Sequence, residues 1–236
     1  MSEWKARRFW KIAAAEPADD GWRVVLDGKP VMTPGKLPLI LPTEALATAV
    51  AAEWDAQQDV IDPLSMPLTR ASNSAIEKVT PQFEGVADML GAYGDTDLLS
   101  YRATEPDRLH DRQKAGWDPM LDWADSHHGA RLAVTRGLMP VAQDPGAIAR
   151  LRARIDSLTP FELTALHDLV TVPGSLVLGL AVLDGRLTAA EAHALARIDE
   201  EFQAETWGRD EEADIAAKNR LEAMQNAERL LRLLSS

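Results

Sequence analysis

The sequence contains no cysteine. That single absence excludes disulfides, thiolate nucleophiles and cysteine-based metal sites, and it suits a reducing compartment. Phosphate loops are missing as well: neither GxxxxGK followed by Ser or Thr nor GxGxxG occurs, and there is no GxSxG nucleophile elbow. Positive charge is scarce, with 25 Lys and Arg against 37 Asp and Glu and a formal net charge of −12. Such a field repels phosphate backbones and anionic lipid, so no nucleic-acid partner is expected. The densest basic run, Lys5, Arg7, Arg8 and Lys11, is short, and Arg150, Arg152 and Arg154 would spread around a helix. Long apolar runs are lacking too. SLVLGLAVL (175–183) falls well short of the ~20 residues of a spanning helix, so it is expected to be a buried helix and no membrane insertion is expected. The opening MSEWKARRFWK has no apolar signal core and carries Glu3, so no uncleaved targeting peptide is expected.

What is present is an ordinary globular composition, 46% hydrophobic and 26% charged, in a chain long enough to bury a core. The first forty residues are β-like. FWKIAAA (9–15) and GWRVVLDGKPV (21–31) are rich in aromatic and β-branched residues, with Pro17, Asp19, Asp20 and Gly21 as a hairpin connection and Asp27-Gly28 as a second turn. Trp22, Val24 and Leu26 alternate with Arg23, Val25 and Asp27, which predicts one buried face. After Pro42 the period changes. Thr43 is a candidate N-cap for a helix over 43–57 in which Leu46, Val50 and Trp54 share a face. Residues 68–79 are predicted helical, and Thr80-Pro81 is expected to cap a third helix reaching about Gly91.

Beyond that the chain is mostly helical, with LLSYRA (98–103) and RLAVTRG (131–137) as short strands or extended linkers. Residues 109–129 form one kinked or two adjacent helices, 144–158 another, and 210–234 a long terminal helix. Thr159 with Glu162 and Thr188 with Glu191 match the capping box. The expected fold is α+β: a small N-terminal antiparallel sheet with helices over 1–80, followed by a mainly α-helical domain over 81–236. No linker of low complexity and no fixed-period repeat interrupts it.

Catalytic chemistry finds little support. No HExxH occurs, and His127 and His128, adjacent on a helix, should point about 100° apart and fail to share one ion. Asp122, Asp125 and His128 could share a face, but an accidental solvated cluster is the better expectation, so no metal and no cofactor is assigned. His167-Asp168 fits a helix surface or a histidine satisfied in the core. Seven tryptophans are many for this length, and several sit beside charge: Trp54, Trp123 and Trp207. For each the core is the better expectation, and for Trp54 most strongly.

LDGKPVMTP (26–34), AAEWDAQ (51–57) and MPLTRASNSAI (66–76), followed by LLSYRA, QKAGWDPMLDWA (113–124) and DEEFQAETWG (199–208), resemble the assembly chaperones of F-type ATP synthase that handle the alpha subunit. The resemblance spans nearly the whole chain. It implies a non-enzymatic protein, with no catalytic residue, that binds the unassembled alpha subunit and prevents its self-association until the beta subunit replaces it. It implies partner-binding residues at an acidic position, Asp199, Glu200 or Glu201, just before the signature residues Gln203 and Trp207. It marks Asp27, Gly28, Thr33, Pro34, Glu53, Trp54, Gln57, Met66 and Pro67 as structural motif positions. A monomer is expected, cytoplasmic in a bacterium or in the mitochondrial matrix of a eukaryote. Two rivals stand beside this: a carboxylate-based hydrolase or transferase with a cleft between the two domains, and a general binding module. For Glu201, an internal pair with Arg197, one helical turn away, weighs as heavily as a client contact.

Overall fold

The structure is a computed structural model that describes residues 7–137 and 139–236. Lys5, in the basic run, and Glu3, in the opening MSEWKARRFWK, lie outside the described residues. Two units emerge. One comprises the chain through Phe83 with Pro160–Thr164 and Arg229–Ser236; the other comprises Glu84–Thr159 with Ala165–Glu228.

The first unit is built on a sheet. Strand β1 (Ala13–Ala18) pairs antiparallel with β2 (Gly21–Leu26) across the Asp19-Asp20 turn. β3 (Lys29–Pro30) and β4 (Ile40–Leu41) both pair with β2 as well, through Val25-Leu26 and Trp22-Arg23 respectively. The β2–β3 turn holds Asp27 at φ 48° and Gly28 at φ 79°, as the Asp-Gly pair predicts. Asp27 also serves the chain before it, its carboxylate accepting from the backbone N–H groups of Lys11 and Ile12. Those bonds hold its pKa below the usual carboxylate value. The alternation in β2 fails at one point: Val25 is buried along with Val24 and Leu26. A centrally paired strand covered on both sides buries residues of both parities. Thr33, buried, closes the next turn by accepting from Leu37 N–H, with Pro34 in that turn.

Helix α1 (Glu44–Asp55) packs on β1 and β2, burying Leu46, Ala47 and Val50, and Thr43 caps it. Trp54 is only half-buried, with its ring edge-on to buried Trp10, so it borders the core and does not fill it. The helix also buries a charge. Glu53 accepts from the backbone N–H of Leu68 (2.8 Å) and Thr69 (2.8 Å) and from the Thr69 hydroxyl (2.7 Å). Those backbone groups are orphan donors in the first turn of α2 (Pro67–Ser74), whose own N-cap, Met66, supplies no side-chain bond. Gln57, also buried, accepts from Asp62 N–H and donates to Ser65. Two side chains of one motif thus fix the DPLSMP break and the start of the next helix.

From Pro67 the chain stays helical for longer than the sequence suggests. A π turn (Ala75–Val79) and a 3-10 turn (Thr80–Gln82) follow α2 and run into α3 (Phe83–Gly91). Thr80 is therefore no N-cap. It has helical φ and ψ, and its hydroxyl donates backward to Ala75 O. Pro81 is accommodated by a change of helical pitch, not by a fresh start.

In the second unit α4 (Asp107–His128) is one helix that contains Pro119 and ends at Gly129 in the left-handed region. Its buried face is Leu109, Trp117, Leu121 and Ala124. β5 (Tyr101–Arg102) and β6 (Thr135–Arg136) form a short parallel pair. Then come α5 (Pro145–Asp156), α6 (Pro160–Thr171), the wholly apolar α7 (Leu176–Leu183), α8 (Ala189–Ala196), α9 (Ile198–Trp207) and α10 (Glu211–Leu234). α7 is buried along nearly its whole length, as its composition predicts. The Thr188–Glu191 capping box is present. Asp97, fully buried, ties the unit together: it accepts from Leu99 N–H, Ser175 Oγ and Val177 N–H at the start of α7. No helix among the described residues is long and apolar enough to cross a membrane.

Candidate functional site

The acidic stretch 198–212 becomes α9, a break at Gly208, and the first turn of α10. Two glycines shape it. Gly208 adopts φ 101°, a conformation few other residues take, and ends α9. Gly116 lets α4 approach closely: a Cβ there would meet Ile198 Cδ1 at 2.7 Å and Leu195 Cδ2 at 3.1 Å. The Trp117 indole adds a hydrogen bond to Leu195 O (2.8 Å). The helix therefore sits on α4 through the Ile198 side chain, its buried foot, which with Leu195 of α8 fills the space a larger residue at 116 would take.

None of the three candidate acids is without a partner. Asp199 accepts from Gln113 Nε2 (2.6 Å), and Gln113, almost fully buried, in turn accepts from Ala103 N–H. Glu200 is clamped between Arg197 (2.9 Å) and Arg220 (3.1 and 3.2 Å). Partial burial works against its ionisation, but the hydrogen bond from Arg197 and the charges of both arginines outweigh that and hold its pKa below the ordinary value. Glu201 bridges Arg197 and Arg209, each at 2.8 Å. The internal Arg197–Glu201 pair is thus present. Further along, Glu205 takes both terminal nitrogens of Arg112 at 3.0 Å. Among the described residues, Asp199 is the one of the three acids with no arginine partner.

The remaining two signature residues face outward. Gln203 is exposed, and Trp207 is 78% exposed, against the expectation that it would be core. The reason is positional: it is the last residue of α9, directly before Gly208, beyond the part of the helix that packs on α4. Ile215 at the start of α10 is also exposed. A cavity of about 260 Å³ lies beside the acidic end, lined by Leu98, Pro173, His193, Arg197, Glu200 and Arg220 among others. Burial, and after it the charges of Arg197 and Arg220, keep His193 below its usual pKa. This surface can offer an indole, an amide and pre-oriented ion pairs. Gln113, Arg112 and Arg220 were not foreseeable, because the contacts span 20 to 93 positions of sequence.

The other candidates separate. Asp122 and Asp125 pair with Arg131, whereas His128 turns to Asp184. His167 pairs with its neighbour Asp168 on a half-buried helix face. The three arginines of α5 diverge as predicted, Arg150 to Gly129 O, Arg152 to Asp88 and Arg154 to Asp184.

Comparison with known proteins points one way. Residues 7–125 match the family model of the ATP12 chaperone protein. Mitochondrial protein atp12 of Schizosaccharomyces pombe is 26% identical over 221 residues, covering 88% of this chain and 75% of that protein. Atp12 from Paracoccus denitrificans is 61% identical with a TM-score of 0.96, covering 98% of this chain and 100% of that one. A solved aspartate-to-lysine mutant of the same Paracoccus protein matches equally well, covering 99% of this chain. A putative chaperone from Agrobacterium tumefaciens is 40% identical with a TM-score of 0.93, covering 97% of this chain and 86% of that one.

Proposed function

The chain belongs to the ATP12 chaperone family, and from that premise we propose that it binds the unassembled alpha subunit of ATP synthase and prevents its self-association until the beta subunit takes its place. It is a chaperone and not an enzyme, so the carboxylate hydrolase or transferase alternative falls away. An unassembled subunit exposes a large interface that aggregates, and a partner that covers it must later be displaced. A docking surface that mixes an apolar anchor with polar groups suits that exchange.

The observation that carries the reading is Trp207, a large aromatic side chain 78% exposed at the end of a helix whose Glu200 and Glu201 are held by arginines. Exposed tryptophans are uncommon and are the residue type most enriched in interface anchors. Gln203 stands one helical turn before it. Asp199, Glu200 and Glu201 set the potential around the anchor, and the net charge of −12 speeds encounter with a basic client surface. The acids serve this role while remaining paired, since salt-bridged carboxylates still contribute hydrogen-bond acceptors to a second partner.

The test is capture of isolated alpha subunit against isolated beta subunit by the purified chain. Trp207→Ala should weaken alpha capture by about tenfold or more, equivalent to about 1.4 kcal/mol or above, with unfolding unchanged. Equal indifference to both subunits contradicts the reading, and so does full alpha capture by the Trp207 variant.

A further inference from the structure

The last two residues of α4, His127 and His128, both bring Nε2 to one carboxylate oxygen of Asp184, which caps the end of α7. His128 Nε2 lies 3.1 Å and His127 Nε2 3.9 Å from Asp184 Oδ2. The donor atoms of all three side chains fall within 4.8 Å of one another. The helical offset that was expected to part the rings does not do so. They stand edge to face with centroids 4.7 Å apart, and His127 stacks on Trp123 at 5.3 Å, which fixes its direction.

Two features make this more than an ion pair. The side chains of His128 and Asp184 are 8% and 10% exposed, and neither His128 Nε2 nor Asp184 Oδ2 has a hydrogen-bond partner of acceptable geometry. A buried imidazole nitrogen and a buried carboxylate oxygen that face each other unsatisfied are costly unless a cation or proton lies between them. The second feature is Arg154, which donates to the other oxygen, Oδ1, at 2.8 and 3.2 Å. It holds the carboxylate so that Oδ2 is left pointing at the two rings, in the way outer groups orient metal ligands.

We propose that His127, His128 and Asp184 form a binding site for a borderline-soft divalent cation of the Zn²⁺, Co²⁺ or Ni²⁺ class. Two imidazole nitrogens and one carboxylate oxygen match that class, whereas Mg²⁺ and Ca²⁺ require oxygen-rich shells. His127 is 56% exposed, so water completes the coordination from that side. Imidazole binds metal only when neutral. The guanidinium of Arg154 partly neutralises Asp184, so affinity should fall below that of closed four-ligand structural sites. An ion here would join the end of α4 to the turn after α7, independently of client binding.

The test is titration of the tag-free, chelator-stripped full chain with Zn²⁺ by calorimetry, and with Co²⁺ by visible absorption. One equivalent should bind, with a Co²⁺ absorption band of low-coordinate nitrogen and oxygen ligation. His127→Ala, at an exposed position that leaves the fold intact, should weaken Zn²⁺ binding by about tenfold or more; Asp184→Asn should do the same, and His167→Ala should leave it unchanged. Absence of a one-equivalent isotherm in the parent chain overturns the proposal. So does a Zn²⁺ affinity that His127→Ala does not alter or that His167→Ala lowers as much.

Discussion

Replacing Glu53 should cost more stability than any exposed ion pair in the protein, because its carboxylate does the capping that α2 cannot do for itself. It is 8% exposed and accepts three hydrogen bonds, two from first-turn N–H groups of α2 and one from the Thr69 hydroxyl. Glu53→Ala leaves those donors facing a small void. Each unsatisfied buried donor costs about 1–3 kcal/mol; water entering the void would recover part of that, so a total of roughly 3–4 kcal/mol is expected. Glu53→Gln keeps the shape and one acceptor but turns an amide NH₂ toward one donor, which should cost about 2 kcal/mol. Thr69→Val removes only the hydroxyl and should cost about 1 kcal/mol. At about 2–4 °C per kcal/mol for a chain of this size, the alanine variant should melt roughly 6–16 °C lower. Thermal unfolding followed by circular dichroism measures the order Ala, Gln, Val. A Gln variant within about 0.5 kcal/mol of the parent refutes the capping account.

Further outcomes follow from the same structure. Burial pushes Asp97 up to about 6 from 3.8, against the pull of its hydrogen bonds. A raised folded pKa contributes stability that is complete below 3.8 and lost as pH rises through about 6; a carbon-13 titration of the Asp97 carboxyl should find its midpoint near 6, and one below 4 contradicts this. Asp27, Glu77, Glu191 and Glu200 have lowered values and act in the opposite sense, losing stability as pH falls through the ordinary carboxylate range. Gly116→Val should force α4 away from Ile198 and Leu195, costing about 1–3 kcal/mol in denaturant unfolding, and a neutral result contradicts close packing at that point. Glu200→Ala should cost no more than about 1 kcal/mol, since the pairs with Arg197 and Arg220 are partly solvated; a larger loss of stability would make Glu200 a structural residue first.

Much of the architecture was legible because local rules and the fold agree. Asp27-Gly28 demands a tight turn, Thr43 and the Thr188–Glu191 pair cap the helices they precede, and SLVLGLAVL is too apolar to lie anywhere but inside. Thr80-Pro81 misled because its pattern fits a helix start equally well. The preceding π turn supplies a carbonyl for the Thr80 hydroxyl, and only the packed chain shows that. The site was half legible. α9, its acids and its end at Trp207-Gly208 could be placed, but the partners Gln113, Arg112 and Arg220 come from helices far away in sequence. The outward direction of Trp207 depends on where α9 leaves α4, which no periodicity within ten residues can fix. For His127 and His128 the helical angle alone predicts divergence; the side chains converge because Asp184 lies within reach of both.

Under the proposed function, this chaperone recognises alpha subunit through the exposed end of α9. The most direct measurement is the affinity of the purified chain for isolated alpha and isolated beta subunits, compared with Trp207→Ala and Gln203→Ala and repeated at rising salt. Selective binding of alpha, weakened by both variants without a change in unfolding and slowed in association by salt, is the expected result. Alpha binding that both variants leave intact would place the client elsewhere on the molecule and contradict the account.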